Sequence, residues 1–508
     1  MTTSISRPEN NKLVSTDGQE HQVESAAKTA NPVRPTLRHT LPSRFAFLIV
    51  GLAIILSTLA YGTVHYWSLA VFFIGAVTLV TLWVLDSWSL GLVRISRNIL
   101  QLPLLGMIFL GLIQLLPLRS PDHPAIGSIP LVRSLSFDPY STRLVVIQLG
   151  ALLIYFAATL VFVDTPKRLK LLVRTITIFG FLLAIFGLTQ QFTSPSKIYW
   201  IREPAQAQPF GPFINRHHFA GYMELAIALP LGLLFSGALE KEKRFIYLFA
   251  AGMMAITLIF TNSRGGLVAL TAEILFLVAI TGFGRREKRE TSEKRSAMRR
   301  AATKAGMALA LIVAIFGGVV LLGGEDVLRR LAGSVNTDDP TSGRTHFWSV
   351  TVDIIKTHPI IGIGLGAFAV VYTGYDSLNG LYRLEQVHND YLQILADGGI
   401  IGASLALFFV VSMFRSGFMR RESGDNFRRG VANGALAGCF AVLVHSFFDF
   451  TLHTTANALL FLVLAALATM NGRVEEVHAR RGKRRRRRSH SRTSTEPEAA
   501  PVSESTLL

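Results

Sequence analysis

Cysteine is almost absent, with one residue, Cys439, in a chain of 508. A lone thiol closes no disulfide and supplies no thiolate set for zinc, so neither can organise the fold; inside the apolar run Gly430 to Val444, Cys439 reads as a small buried hydrophobe. Charge is also scarce. Asp, Glu, Lys and Arg make up 17% of the residues against 50% hydrophobic ones, which is too apolar for an ordinary soluble protein of this length. Acidic residues are the minority, 33 against 51 basic, for a net charge of +18. Heptads and solenoid repeats are missing, although inverted repeats of the transporter kind stay open. Residues 1–42 are polar and lack a cleavable hydrophobic core, so the first apolar run is expected to act as an uncleaved anchor.

What the chain has instead is apolar runs, each near the roughly 20 residues that cross a hydrocarbon core of about 30 Å. Twelve are read, near 45–64, 66–85, 99–118, 144–163, 171–192, 218–239, 245–261, 265–283, 305–323, 398–414, 431–447 and 455–471. Basic residues fall between particular runs: nine Lys/Arg against three Glu from Arg285 to Lys304, a basic stretch from Arg415 to Arg429, and the run Lys483 to Arg488. If these face the cytoplasm, every span is oriented consistently and both termini lie inside. KRRRRR then reads as a lipid-facing anchor, and no nucleic-acid partner is expected.

The expected fold class is all-α: a polytopic membrane protein of about 12 transmembrane helices with one large outer loop containing short helices. Its divisions are a disordered inner tail at 1–42, spans one to nine at 43–323, the outer loop at 324–397, spans ten to twelve at 398–471, and a basic disordered tail at 472–508. The stretch Gly324 to Asp397 carries five Lys/Arg against nine Asp/Glu, the reverse of the inner loops. It is too long for a connection without structure or function of its own. Within it, Trp348, Val352 and Ile355 are spaced as on an amphipathic helix over Thr345 to Lys356, of the kind that lies on a bilayer surface. Pro359 and the glycines of GIGLG follow; these lack the spacing of a dinucleotide fingerprint and read as a turn that lets backbone approach its neighbours.

Four polar clusters gather at outer span ends, where ionisable groups are costly unless used or paired. They are GPFINRHHFAGY (Gly211 to Tyr222), TNSRGG (Thr261 to Gly266), SGRTHFW (Ser342 to Trp348) and HNDY (His388 to Tyr391). Arg264 either snorkels to the headgroups or points into an outer cavity, with Gly265 and Gly266 allowing a tight backbone turn beside it. Arg344 is a solvated loop charge or, with Arg216 and Arg264, part of a fork-shaped site for a diphosphate, since guanidinium binds phosphate oxygens in pairs. His388 is read as heading a short helix that carries Tyr391, Leu392 and Leu395 on its face. There it is either a proton acceptor for a hydroxyl or an interfacial helix-end histidine. Asp390 reads as a first-turn residue favoured by the helix dipole and Tyr391 as an interfacial anchor. Asp338 and Asp339 could bind a metal, but a proline turn explains them as well. His445, Asp449 and His453 could be ligands or could pair with each other, and they read as a structural polar network.

The ordered set NRHHFAGY, TNSRGG, GRTHFW, HPIIGIGLGAF and VHNDYLQILADGGIIG, over roughly Gly211 to Asp449, resembles the O-antigen ligase and polymerase superfamily. The resemblance implies an inverting glycosyltransferase of the bacterial inner membrane, working at its outer face. The donor would be a glycan on a polyprenyl diphosphate and the acceptor a hydroxyl of a glycan, lipid or protein, with no cofactor and no metal. It puts Arg264 and Arg344 on the diphosphate and makes His388 the base, with Asn215, Arg216, Asp390 and Tyr391 as substrate-binding candidates. His217 departs from the family, which often has asparagine there, and so unsettles the donor roles of Asn215 and Arg216. The alternative from another class is a transporter of an anionic or lipid-linked substrate. It would place ionisable residues near span midpoints rather than at outer ends.

Overall fold

The computed structural model describes residues 39–119, 133–205, 207–282, 344–378, 384–421 and 423–470, with four isolated positions between 306 and 317. Regular structure among them is helical: α1 (Leu41–Leu59), α2 (Tyr66–Leu90), α3 (Gln101–Gln114), α4 (Pro139–Phe162), α5 (Pro166–Thr193), α6 (Arg216–Phe235), α7 (Lys241–Phe260), α8 (Arg264–Gly282), α9 (Arg344–Thr357), α10 (Phe368–Tyr375), α11 (Asp390–Arg420), α12 (Asn426–His445) and α13 (Thr455–Thr469). Nine of these are long and apolar enough to cross a membrane, and α3 and α13 are shorter apolar helices. Most of the expected span at 305–323, the basic loop, the Asp338–Asp339 pair, residues 1–38 and the tail at 472–508 lie outside the described residues, and α1 begins at Leu41, inside the stretch expected as inner tail.

Helix starts follow local chemistry. Asp138 and Thr165 each cap a helix whose first residue is proline, and Asn215, Asn389 and Asp425 cap α6, α11 and α12 through their side-chain oxygens. These groups accept from backbone N–H groups that the first helical turn leaves without partners.

Helix α6 is the axis of the bundle, buried along nearly its whole length. Its closest neighbour is α12, whose Gly430, Gly434 and Gly438, four residues apart, face Ala228, Gly232 and Leu233; a Cβ on Gly434 would collide with the Ala228 carbonyl. Small residues bring two backbones together where no hydrophobic force separates helix from lipid. Arg428, also buried, donates to the carbonyls of Leu467 (2.8 Å) and Met470 (3.2 Å), satisfying the last turn of α13. At this end of the bundle Arg94 binds Asp86 (2.5 Å) and Asp164 (3.1 Å), while Arg168 meets Asp164 (3.3 Å) and the Ser43 hydroxyl (3.0 Å). Their shared position ties α1, α2 and α5 together through paired buried charges.

The opposite end carries a second, smaller hydrophobic cluster of Phe347, Val350 and Ile354 from α9, Phe368, Val371 and Tyr372 from α10, and Ile363, Val387 and Ala396. Here one boundary differs from expectation. The sequence puts the loop's end at Asp397, but α11 already begins at Asp390 and breaks at Gly399, which adopts φ 59°, ψ −161°. The break frees peptide groups that the GIGLG segment takes up: Ile363 N donates to Ala396 O (2.9 Å), Gly364 N to Asp397 O (3.1 Å), and Ile400 N to Pro359 O (2.8 Å). Gly362, Gly364 and Gly366 all have positive φ, and a Cβ on Gly362 would strike the Asp397 backbone, so the expected close approach is present. Gln114 closes the junction, donating to Ile361 O (2.6 Å) and Asp397 O (2.9 Å) and accepting from Leu365 N (2.9 Å). A broken apolar helix is tolerated where protein groups satisfy its backbone in this way.

Candidate active site

The four consecutive residues of HNDY dock onto the end of α12 and the turn that follows it. His388 Nδ1 lies 3.1 Å from Asp449 Oδ1, and Asn389 Nδ2 donates to Phe447 O at 3.2 Å. Asp390 meets the Ser446 hydroxyl (2.7 Å) and His453 Nδ1 (2.9 Å), and the Tyr391 hydroxyl donates to Leu443 O (2.6 Å). His388 does not head the helix as expected. It precedes the cap residue Asn389, whose side chain accepts from Tyr391 N and Leu392 N, and its own φ of 58° turns the chain before α11 starts. That left-handed conformation is uncommon for a residue with a side chain and persists only where its surroundings fix it.

His445, Asp449 and His453 do not pair with each other, as one sequence reading had it; each serves a different element. Asp449 joins His388, His453 joins Asp390, and His445 joins Glu224 of α6 at 2.8 Å. Nine residues of chain, His445 to His453, thus fasten α6, α11 and the turn after α12 to one another.

Asp449 is the buried centre of the site, 1% exposed, between His388 at 30% and His217 at 24%. Its second oxygen is 4.0 Å from His217 Nδ1, which also meets the Ser263 hydroxyl at 2.9 Å. Burial on its own would raise the Asp449 pKa. The hydrogen bond from His388 and the nearby His217 and His218 outweigh it and hold the carboxyl well below the usual carboxylate range. A carboxylate only accepts, so Nδ1 of His388 carries the proton of their hydrogen bond. Phe450 presents its ring between two imidazoles, 4.8 Å from His388 and 4.7 Å from His218, both edge-on. His218 is itself held by Thr454 at 2.8 Å.

The arginines reach this centre from two sides. Arg216 opens α6 and Arg344 opens α9, and both act electrostatically on His217. Arg264, exposed at the head of α8, follows directly on Ser263, the partner of His217. Trp348 of α9 donates to Val387 O at 3.2 Å, which ties the Arg344 helix to the residue before His388.

Other expectations meet a different geometry. The tight turn beside Arg264 belongs to Asn262, with φ 51°, whereas Gly265 and Gly266 lie inside α8. Their missing side chains make room for His445 and Phe448 beside Gly265, and for Ala220 and Glu224 beside Gly266. The Asn215 side chain is engaged in capping α6 through His217 N (2.9 Å), and the Tyr391 hydroxyl is turned onto α12. Asp449, Ser263 and His217 join the site through the fold; the spacing in HSFFDFTLH is plain in the sequence, but nothing local says which partner each residue finds.

Fold and site together define a multi-pass membrane protein with a histidine–aspartate pair and several arginines at one end of its bundle. Residues 249–409 match the family model described as O-antigen ligase, a stretch that contains Arg264, Arg344 and His388 and ends before Asp449. The chain is also similar to the exopolysaccharide production protein ExoQ of Rhizobium meliloti (strain 1021), 24% identical over 232 residues, which cover 42% of this chain and 48% of the relative. The match therefore spans about half the length of that relative. Both findings are similarities of part of the chain: the family match takes in the stretch that carries Arg264, Arg344 and His388, and the relative matches 42% of the chain.

Proposed function

We propose that the protein is an inverting glycosyltransferase that moves a glycan from a polyprenyl diphosphate onto an acceptor hydroxyl. The reaction takes place at the outer face of the bacterial inner membrane, with both termini in the cytoplasm. The observation that carries this reading is the pairing of His388 Nδ1 with a buried Asp449 carboxylate, at 3.1 Å, among arginines from α6, α8 and α9.

Asp449 fixes the ring and its tautomer, so Nε2 is the nitrogen left to accept a proton. The acceptor O–H gives its proton to Nε2 as the oxygen forms a bond to the anomeric carbon. The bond from that carbon to the diphosphate oxygen breaks, and its electron pair leaves with the diphosphate. Arg264 and Arg344, with Arg216 beside them, neutralise the charge that grows there. His388 then returns its proton to solvent. A lipid-linked donor keeps its reactive bond at headgroup height, which accounts for a base in the turn just before a membrane-length helix. The relative's name speaks for exopolysaccharide as the product.

Deletion of the chain tests the function in cells. Shortened surface glycan supports polymerisation, accumulated full-length lipid-linked polymer supports ligation, and unchanged glycan and lipid-linked pools contradict both.

A further inference from the structure

Beneath the candidate active site lies a second group of ionisable side chains for which the proposed transfer has no use. His445, Glu224 and Glu273 come from α12, α6 and α8, and each is 0% exposed. Glu224 stands eight residues into α6 and Glu273 nine into α8, which at about 1.5 Å per residue puts both about 12–14 Å below the helix heads. The group is coupled to the site above it. The His445 carbonyl accepts from Asp449 N at 3.1 Å, and the His445 ring packs on Gly265, the residue after Arg264.

A purely structural bridge satisfies its polar atoms, because a buried donor or acceptor without a partner is costly. This group does so only at one contact, His445 Nδ1 to Glu224 Oε1 at 2.8 Å. Among the described residues, Glu224 Oε2, His445 Nε2 and both oxygens of Glu273 have no hydrogen-bond partner. A Cβ at Gly266 would lie 3.3 Å from Glu224 Oε1, and Glu273 stands two turns further along the same face of α8, so the two carboxyl groups share one seam, where both cannot be ionised away from water. The trio carries no net charge when it holds two protons; one is shared in the His445 Nδ1–Glu224 Oε1 contact, and the other then falls to Glu273, which has no partner of its own.

We propose that Glu273, Glu224 and His445 form a proton-binding site inside the bundle, holding one exchangeable proton that enters and leaves on the Asp449 side. On release, the O–H bond of Glu273 breaks, its electron pair stays on the carboxylate, and the proton passes to solvent through the layer of Asp449 and His217. The site then carries one negative charge beneath Asp449, so its occupancy sets the field in which Asp449 acts on His388. Among the described residues, few other charged groups face the trio. They are His217 and His218 at the head of α6, Arg264 at the head of α8, Asp449 after α12 and Asp390 at the head of α11. Helix α13 has no ionisable residue, and the charged residues of α7 are confined to its first turn at the far end.

Infrared difference spectroscopy of the full chain in lipid nanodiscs, recorded against pH, reads this site without any glycan. A protonated carboxyl band should be present, weaken as pH rises, and be missing in Glu273→Gln. Asp449→Asn should shift the pH at which the band weakens. Carbodiimide labelling of wild-type protein, mapped by peptide mass, checks the assignment without a variant: Glu273 should be modified and Glu224 spared. No band attributable to Glu273, or a band that does not change at any pH where the protein stays folded, overturns the proposal. An unshifted titration in Asp449→Asn overturns the route. None of these outcomes depends on what the chain transfers.

Discussion

His388 Nδ1 and Asp449 Oδ1 meet at 3.1 Å across 61 positions of sequence, the histidine in a left-handed turn before α11 and the aspartate buried in the turn after α12. Neither residue is placed by its own helix. Asn389, Asp390 and Tyr391 hold one turn against the other through Phe447, Ser446, His453 and Leu443. The imidazole is therefore oriented before any substrate arrives, which is what a general base requires.

The arginines should not be exchangeable with lysine. A planar fork grips two phosphate oxygens, and an ammonium keeps the charge but loses the pair. Arg344→Lys and Arg264→Lys should each weaken donor binding by about tenfold. Titration of the purified variants with lipid-linked donor measures this, and wild-type affinity in both would remove the diphosphate role.

Gly399→Ala should destabilise the site end of the bundle. Its φ of 59° with ψ −161° is a region open to glycine, and a Cβ would strike the Ile360 carbonyl. The strain is of the order of 1–3 kcal/mol, and it falls on the helix that follows His388. A lower Tm in detergent with reduced transfer is expected; an unchanged Tm would mean that the break is not fixed by the GIGLG contacts.

Stability should fall as pH rises through the His453 transition. Burial alone would lower the pKa of this histidine, but its hydrogen bond to Asp390 and the charges of Asp390 and Asp397 raise it above the ordinary 6.5. A raised folded-state pKa stabilises fully below the ordinary value and is lost as pH climbs through the raised one. His453→Gln should flatten that part of the Tm–pH curve, and a slope unchanged by the substitution would assign the loss to another group.

Much of this was legible because membrane chemistry is coarse. Apolar length located the helices, and the Trp348, Val352 and Ile355 spacing found α9, which runs one residue beyond the expected stretch at each end. Arg216, Arg344 and His388 were visible as costly polar residues at span ends. The Gly399 break was not, since a glycine pair inside an apolar run does not say which glycine opens or that Pro359 and Ile363 will take up the freed groups. Nor were the partners of HSFFDFTLH: spacing of four suggests contact along one helix, but α12 ends at His445, and the chain turns each later residue toward a different neighbour.

Orientation has a direct test. Ser349 is exposed on α9 at the site end and Glu242 is exposed at the start of α7 at the other. A cysteine at Ser349 should react with an impermeant thiol reagent in intact spheroplasts, and one at Glu242 should react only after lysis; the buried Cys439 contributes no background. The reverse pattern would put the site in the cytoplasm and end the lipid-linked donor account.

The central claim is that Asp449 acts through His388, and a double-mutant cycle on single-turnover transfer tests it most directly. His388→Ala should lower the rate by roughly 10²–10⁴-fold with donor affinity retained. Asp449→Asn should lower it as well, and the double variant should be no slower than His388→Ala alone, since the carboxylate has nothing left to orient. Wild-type rates in His388→Ala, or losses that multiply in the double variant, would contradict the account.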